Sequence, residues 1–270
     1  MKSDLVVVSW WSNCLGLRCV QHLREGTEGR QIYVVQVGKS EAQKRRFRRH
    51  LPPDVTELPY PADRAAEHCR VLESVVDGLL PEHEGLWFVD HDVFFLDPLE
   101  PWLRARDGAL WPAGCCLAYL TSPERRRAIT SPLVWLSPRR LPAGLPGFEP
   151  LPFEPLAASR RPDLHRFPAA ERMPEKDTLV RAQEFLDARG GVYCHPLESL
   201  PRHSHLGGLY LLAFERLPAS LDGWMAGCVA RFRSFFAQCP EAWLADEDPA
   251  LLDRLETWPA TLAPLAAARG

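Results

Sequence analysis

The chain has 270 residues and a net charge of −3, from 35 acidic and 32 basic side chains, which excludes bulk attraction to nucleic acid or acidic lipid. Hydrophobic residues make up 46% and charged residues 25%, enough to bury a sizeable core, and no apolar run reaches membrane-spanning length. The eight cysteines contain no CxxC pair and no signal-peptide segment opens the chain, so reduced thiols and a cytoplasmic location are expected.

Leu5-Val6-Val7-Val8-Ser9-Trp10 is a short β-branched run that predicts a strand buried on both faces. Ser12 or Asn13 caps the helix that follows, whose apolar stripe is Leu15, Cys19, Val20 and Leu23. Residues 31–37 predict a second strand, halted by Gly38, and Ser40 opens a basic helix over 41–50 that Pro52-Pro53 must end. Its run Lys44-Arg45-Arg46-Phe47-Arg48-Arg49-His50 either touches phosphates or, more in keeping with such compositions, forms a solvated helix face. Val55–Leu58 reads as a third strand, residues 63–80 as an amphipathic helix, and residues 86–96 as a fourth strand.

Alternating strands and helices predict an α/β fold with a mostly parallel sheet flanked by helices. In such sheets ligands bind beyond the carboxyl ends of the strands. Ser9 to Asn13 follow the first strand, Gln36 to Lys39 the second, and Asp90 and Asp92 lie toward the end of the fourth. If the fourth strand runs on through Val93-Phe94-Phe95-Leu96, Asp90 and Asp92 share a face and His91 points the other way. Two like charges side by side in an apolar strand are costly unless a cation or hydrogen-bond donors neutralise them, and a hard divalent ion carrying phosphate oxygens suits that need. A strand ending at Asp90 in solvent is the plainer alternative.

The second half is less regular. Ala109–Ala118 and Leu133–Leu136 are candidate strands, residues 138–174 form a proline-rich excursion, and a helix spans 175–189. Val192–His195 predicts another strand, residues 219–236 a heavily apolar helix, and the tail to 270 a packing extension. The expected organisation is one domain over 1–270, with parts at 1–108 and 109–216 and a C-terminal helical extension at 217–270. Cys194-His195 with His203 and His205 also invites zinc, but no second cysteine lies at chelating spacing.

An N-terminal βαβ series, an Asp90-x-Asp92 after the fourth strand and a late His205-Leu206-Gly207-Gly208 together resemble the nucleotide-sugar glycosyltransferases of the GT-A fold, over roughly residues 5–212. The resemblance implies a GT-A-like, Rossmann-like sheet and transfer of a sugar from a nucleotide-sugar donor, with 1–108 as the nucleotide-binding half and 109–216 as the acceptor half. It puts Asp92 on a divalent cation, Mn²⁺ or Mg²⁺, and Asp90 on the donor ribose or the cation. His205 becomes a further metal ligand, with His203, two residues away, as the competing choice. Ser9 and Asn13 fall where the family holds base and ribose, and Trp10 or Trp11 either stacks on the base or packs in the core. Arg64, with Arg70, lies on the helix before the fourth strand, from which family members reach the donor. Asp177, opening the 175–189 helix beside Glu175, is the expected acceptor base if the reaction inverts configuration.

The acceptor is open: a peptide, a lipid-linked or a small aromatic molecule would each suit an apolar, proline-rich second half. Two other functions compete. One is an aspartyl phosphohydrolase or phosphotransferase of the haloacid-dehalogenase kind, in which the Asp-x-Asp normally follows the first strand. The other is a non-catalytic GT-A-like scaffold that binds a partner through the proline-rich segment and C-terminal helix.

Overall fold

A computed structural model describes residues 2–60, 68–110, 116–120, 133–141, 192–196, 201–206 and 222–258. The elements run β1 (Asp4–Trp10), α1 (Asn13–Gly26), β2 (Ile32–Val37), α2 (Glu41–Arg48), β3 (Val55–Leu58), α3 (His68–Ser74), β4 (Leu86–Asp90) and β5 (Val93–Phe95). They continue as α4 (Leu99–Leu110), β6 (Cys116–Leu120), β7 (Leu133–Leu136), β8 (Val192–Pro196) and β9 (His203–His205). The C-terminal helices are α5 (Asp222–Phe236), α6 (Glu241–Ala245) and α7 (Pro249–Thr257).

Seven strands form one sheet in the order β3-β2-β1-β4-β7-β6-β8. β3, β2, β1 and β4 are parallel, β7 is antiparallel to both β4 and β6, and β8 is parallel to β6. Six of the seven strands therefore point the same way. The expected mostly parallel α/β sheet is present, and its strand order reverses at β1, where β2 lies on one side and β4 on the other.

Strand alternation divides the core into two layers. Val6, Val8, Val35, Phe88, Val134 and Leu136 pack with Val71, Leu72, Val75 and Val76 of the α3 region. Leu5, Val7, Val34, Trp87, Val89 and Trp135 pack on the other face against α1, Phe47 of α2, and Leu99 and Leu103 of α4. Each such fully buried aliphatic side chain contributes about 1.5–3 kcal/mol relative to exposure. A third cluster joins Cys14, Leu15 and Leu206 to Cys228, Val229, Phe232, Phe236, Leu251 and Leu255 of the C-terminal helices.

Local chemistry sets the element ends. Ser12, of the two candidates, caps α1 by accepting from the Leu15 amide at 3.2 Å. Ser40 and Gln43 make a reciprocal capping box on α2. Gly38 has φ +63, and a Cβ there would lie 2.7 Å from Trp10 Nε1, so both backbone and space require glycine.

Several expectations need correction. The 86–96 strand is two strands: β4 stops at Asp90, a turn takes up His91-Asp92, and β5 leaves the main sheet to pair antiparallel with β9. Ala109 and Leu110 close α4 instead of opening a strand, and β6 begins at Cys116. The 63–80 helix, described from His68, changes at Val75 to a π turn closed by Leu80 N–H donating to Val75 O at 2.7 Å.

The basic segment keeps a solvated face, with Arg45, Arg48 and Arg49 exposed, but several of its side chains are also paired. Lys44 is buried and donates to Tyr60 O at 2.5 Å, Arg48 pairs with Glu57, and Arg49 and His50 both reach Asp246. Acidic residues 246–248 thus dock beside α2 and offset part of its positive charge.

Candidate active site

β4 ends beside β1, at the point where the sheet order reverses, and Val8 pairs with Asp90 at the last register position. Crevices at such switch points, outside the carboxyl ends of the strands, are where open α/β sheets bind ligands. The His91-Asp92 turn then sends the chain into β5, whose Val93 pairs with His205. Leu206 N–H donates to Asp92 O at 3.0 Å, fastening the end of β9 to the turn.

These two strand pairings bring Asp90, Asp92 and His205 together. Their ligand atoms all lie within 4.8 Å of one another, close enough to share one metal ion. His205 Nε2 is 3.4 Å from Asp92 Oδ1, with Asp92 buried and the His205 side chain 39% exposed. The group is therefore open to solvent on the imidazole side.

The electrostatics suit a cation. Burial, and then the charge of Asp92, push the Asp90 carboxyl up to about 7, with His205 pulling the other way. Burial works against the His205 imidazolium, but the hydrogen bond and charge of Asp92, with Asp90, outweigh it and raise its pKa. Two carboxylates and one imidazole are a donor set for Mn²⁺ or Mg²⁺, with the nitrogen favouring Mn²⁺.

Of the competing histidines, His203 lies away from the group: its Nδ1 meets Pro201 O at 3.0 Å and its ring sits 6.2 Å from that of Phe95. His91 is buried, its Nε2 has no hydrogen-bond partner among the described residues, and burial lowers its pKa to about 4. Cys19 of α1 reaches up from the core, its Sγ donating to Asp90 O at 3.8 Å.

Ser9 and Asn13 are enclosed within the protein. Ser9 is fully buried and accepts from Lys39 Nζ at 2.8 Å. Asn13, 1% exposed, donates through Nδ2 to Gln43 O at 3.3 Å and Asp246 O at 2.9 Å, while its Oδ1 has no partner among the described residues. Trp10 and Trp11 are half-buried and stack edge to face at 5.5 Å. Trp11 holds φ +54, fixed by Nε1 donating to Asp248 Oδ2 at 2.5 Å. Arg64, Glu175, Asp177, Gly207, Gly208 and the 138–174 excursion past Leu141 lie outside the described residues.

Sequence patterns missed two contributors. Glu247, 1% exposed, sits on the N-terminus of α1, accepting from Ser12 Oγ, Asn13 N–H and Cys14 N–H at 2.7, 3.0 and 2.7 Å. Arg231 of α5 donates through Nη2 to Leu206 O at 3.1 Å, one residue from His205. Neither belongs to a local motif; both are marked only by standing in the C-terminal extension that packs against the edge.

No protein-family profile and no curated protein sequence matches the chain. Among solved structures it is similar to the mannosyltransferase PcManGT from Pyrobaculum calidifontis, in complex with GDP-Man and Mn²⁺, at 13% identity and TM-score 0.46, covering 100% of this chain and 76% of that one. It is also similar to HddC from Yersinia pseudotuberculosis, at 9% identity and TM-score 0.46, covering 85% of this chain and 99% of that one. Mouse xyloside xylosyltransferase 1 is similar at 7% identity and TM-score 0.42, over 72% of this chain and 85% of that one.

Proposed function

We propose that the chain is a divalent-cation-dependent glycosyltransferase that moves a sugar from a nucleotide-sugar donor to an acceptor hydroxyl. One observation carries this: Asp90, Asp92 and His205 converge within 4.8 Å at the switch point of the sheet. The position is where a nucleotide fits, and the donor set is what a phosphate-bearing hard cation takes.

The alternative phosphate site of α/β proteins, the N-terminus of the helix after β1, is filled by the Glu247 carboxylate. The β1–α1 connection carries Trp11-Ser12-Asn13 in place of a glycine-rich loop. A diphosphate is therefore better served at the β4 end. The aspartyl-phosphatase arrangement places its carboxylates after the first strand, whereas here they follow β4.

In this proposal Asp92 and His205 hold the cation, and Asp90 completes the set or meets the ribose. A bound divalent cation would neutralise negative charge developing on the departing nucleoside diphosphate. Leu206 N–H fixes the Asp92 carbonyl and so sets where Asp92 and His205 face each other. For an inverting reaction Asp177 remains the proposed acceptor base.

Incubation with Mn²⁺ and a panel of UDP-, GDP-, CDP- and dTDP-sugars tests the proposal by release of the nucleoside diphosphate, without and with peptide, lipid-linked and aromatic acceptors. Release by the wild type and its loss in a folded Asp92→Asn variant is expected. Equal release by both, or none from any donor, would overturn it.

A further inference from the structure

Charge counting at the Asp90–Asp92–His205 group leaves a nucleotide short of positive partners. Two ionised carboxylates cancel a divalent cation, so a diphosphate carried there meets a centre of no net positive charge. The helix dipole that would ordinarily help, at the start of α1, already serves Glu247. Of the basic residues of α2, Arg48 pairs with Glu57 and Lys44 reaches Tyr60 O.

One guanidinium stands beside the group. Arg231 is exposed, lies on α5 three residues after Cys228, and donates through Nη2 to Leu206 O and to Cys228 Sγ, both at 3.1 Å. Leu206 in turn donates its N–H to Asp92 O at 3.0 Å, so a two-bond path links the guanidinium to the Asp92 backbone. Among the described residues Arg231 makes no ion pair, and its Nε and Nη1 carry no hydrogen bond.

The arginine is held in place by the rest of its helix. Cys228, Val229, Phe232 and Phe236 are buried against Cys14, Leu15 and Leu206, and Arg233 ties α5 to the carbonyl oxygens of Leu255 and Glu256. Nη2 is committed to Leu206 and Cys228, which leaves Nε and Nη1 of Arg231 uncommitted among the described residues, each able to meet a phosphate oxygen singly.

We propose that Arg231 is a donor-binding residue, the second cation that takes the diphosphate of a nucleotide bound at Asp90, Asp92 and His205. This rests on the function proposed above. It makes the C-terminal extension part of the site.

The test is calorimetry on the full chain with Mn²⁺ alone and with UDP, GDP, CDP and dTDP in excess Mn²⁺, the tightest wild-type binder and its monophosphate serving as probes. Arg231→Gln keeps a donor for Leu206 O but removes the charge. It is expected to weaken the diphosphate by about tenfold to a hundredfold, to weaken the monophosphate less, and to leave Mn²⁺ affinity unchanged. Arg231→Lys, which keeps the charge but cannot both hold Leu206 O and reach a phosphate, is expected to fall between and covers the case in which the glutamine variant does not fold.

If the wild type binds no nucleoside diphosphate, the underlying site fails and Arg231 with it. If the wild type binds and both variants bind equally well, the role of Arg231 alone is overturned. Loss of Mn²⁺ affinity in either variant would also overturn it, by showing that Arg231 merely braces β9.

Discussion

Glu247 Oε2 accepts a hydrogen bond from Ser12 Oγ at 2.7 Å, joining residues 235 apart in sequence. The same carboxylate takes the Asn13 and Cys14 amides, so the first turn of α1 is completed by the C-terminal extension. Glu247→Ala strands those donors in the core and should cost about 3 kcal/mol, measured by urea denaturation. Glu247→Gln, which can still accept, should cost less. A fully stable alanine variant would show that the extension is not integral to the fold.

A second buried network sits at the opposite end of the sheet. Arg30, with no side-chain exposure, donates to Glu100 at 2.6 Å, Asp107 at 2.8 Å and Ser3 O at 2.6 Å. Arg30→Met leaves two carboxylates buried without their cation, which should destabilise by about 3–5 kcal/mol. Asp107 also accepts from Trp87 Nε1 at 3.0 Å, so tryptophan fluorescence reports the same loss.

Lys39 supplies a pH dependence. It is 2% exposed, bonded to Ser9 Oγ and Ser12 O with its ammonium 4.5 Å from the Phe47 ring centre, and burial lowers its pKa from 10.5 to about 7. The folded state therefore binds fewer protons than the unfolded state between those values, and stability rises with pH across that window. Below about 7 the cost of burying the charge is fully present. Lys39→Met removes this contribution, so the wild type should gain on the variant by about 1 kcal/mol per pH unit from 7 to 10. Parallel pH profiles for the two proteins would contradict the burial of an ionisable ammonium there.

The parallel half of the sheet was legible because each strand is a short β-branched run with its own punctuation: Leu5–Trp10, then Ile32–Val37 halted by Gly38. The break after Asp90 was not. Val93-Phe94-Phe95 has the same composition whether it prolongs β4 or starts a new strand, and only pairing with β9 decides. The two aspartates meet through a turn, not through strand alternation. Strand alternation also could not separate His203 from His205; the Pro201 carbonyl that holds one and Asp92 that faces the other did so. The docking of Asp246 on Arg49 and His50 spans about two hundred residues and leaves no local trace.

His205 contributes the ligand most exposed to solvent, so its removal separates cation binding from folding. His205→Ala should leave urea stability near the wild-type value while weakening Mn²⁺ by about tenfold or more. A variant that loses stability and cation affinity together would place the imidazole in the structural framework of β9.

The most direct measurement of the central claim is titration of a nucleoside diphosphate into wild type and Asp92→Asn, each with and without Mn²⁺. The wild type should bind only when Mn²⁺ is present, and Asp92→Asn should lose about a hundredfold in that affinity while remaining folded. Binding that ignores Mn²⁺, or that survives in Asp92→Asn unchanged, would contradict a cation site at Asp90, Asp92 and His205.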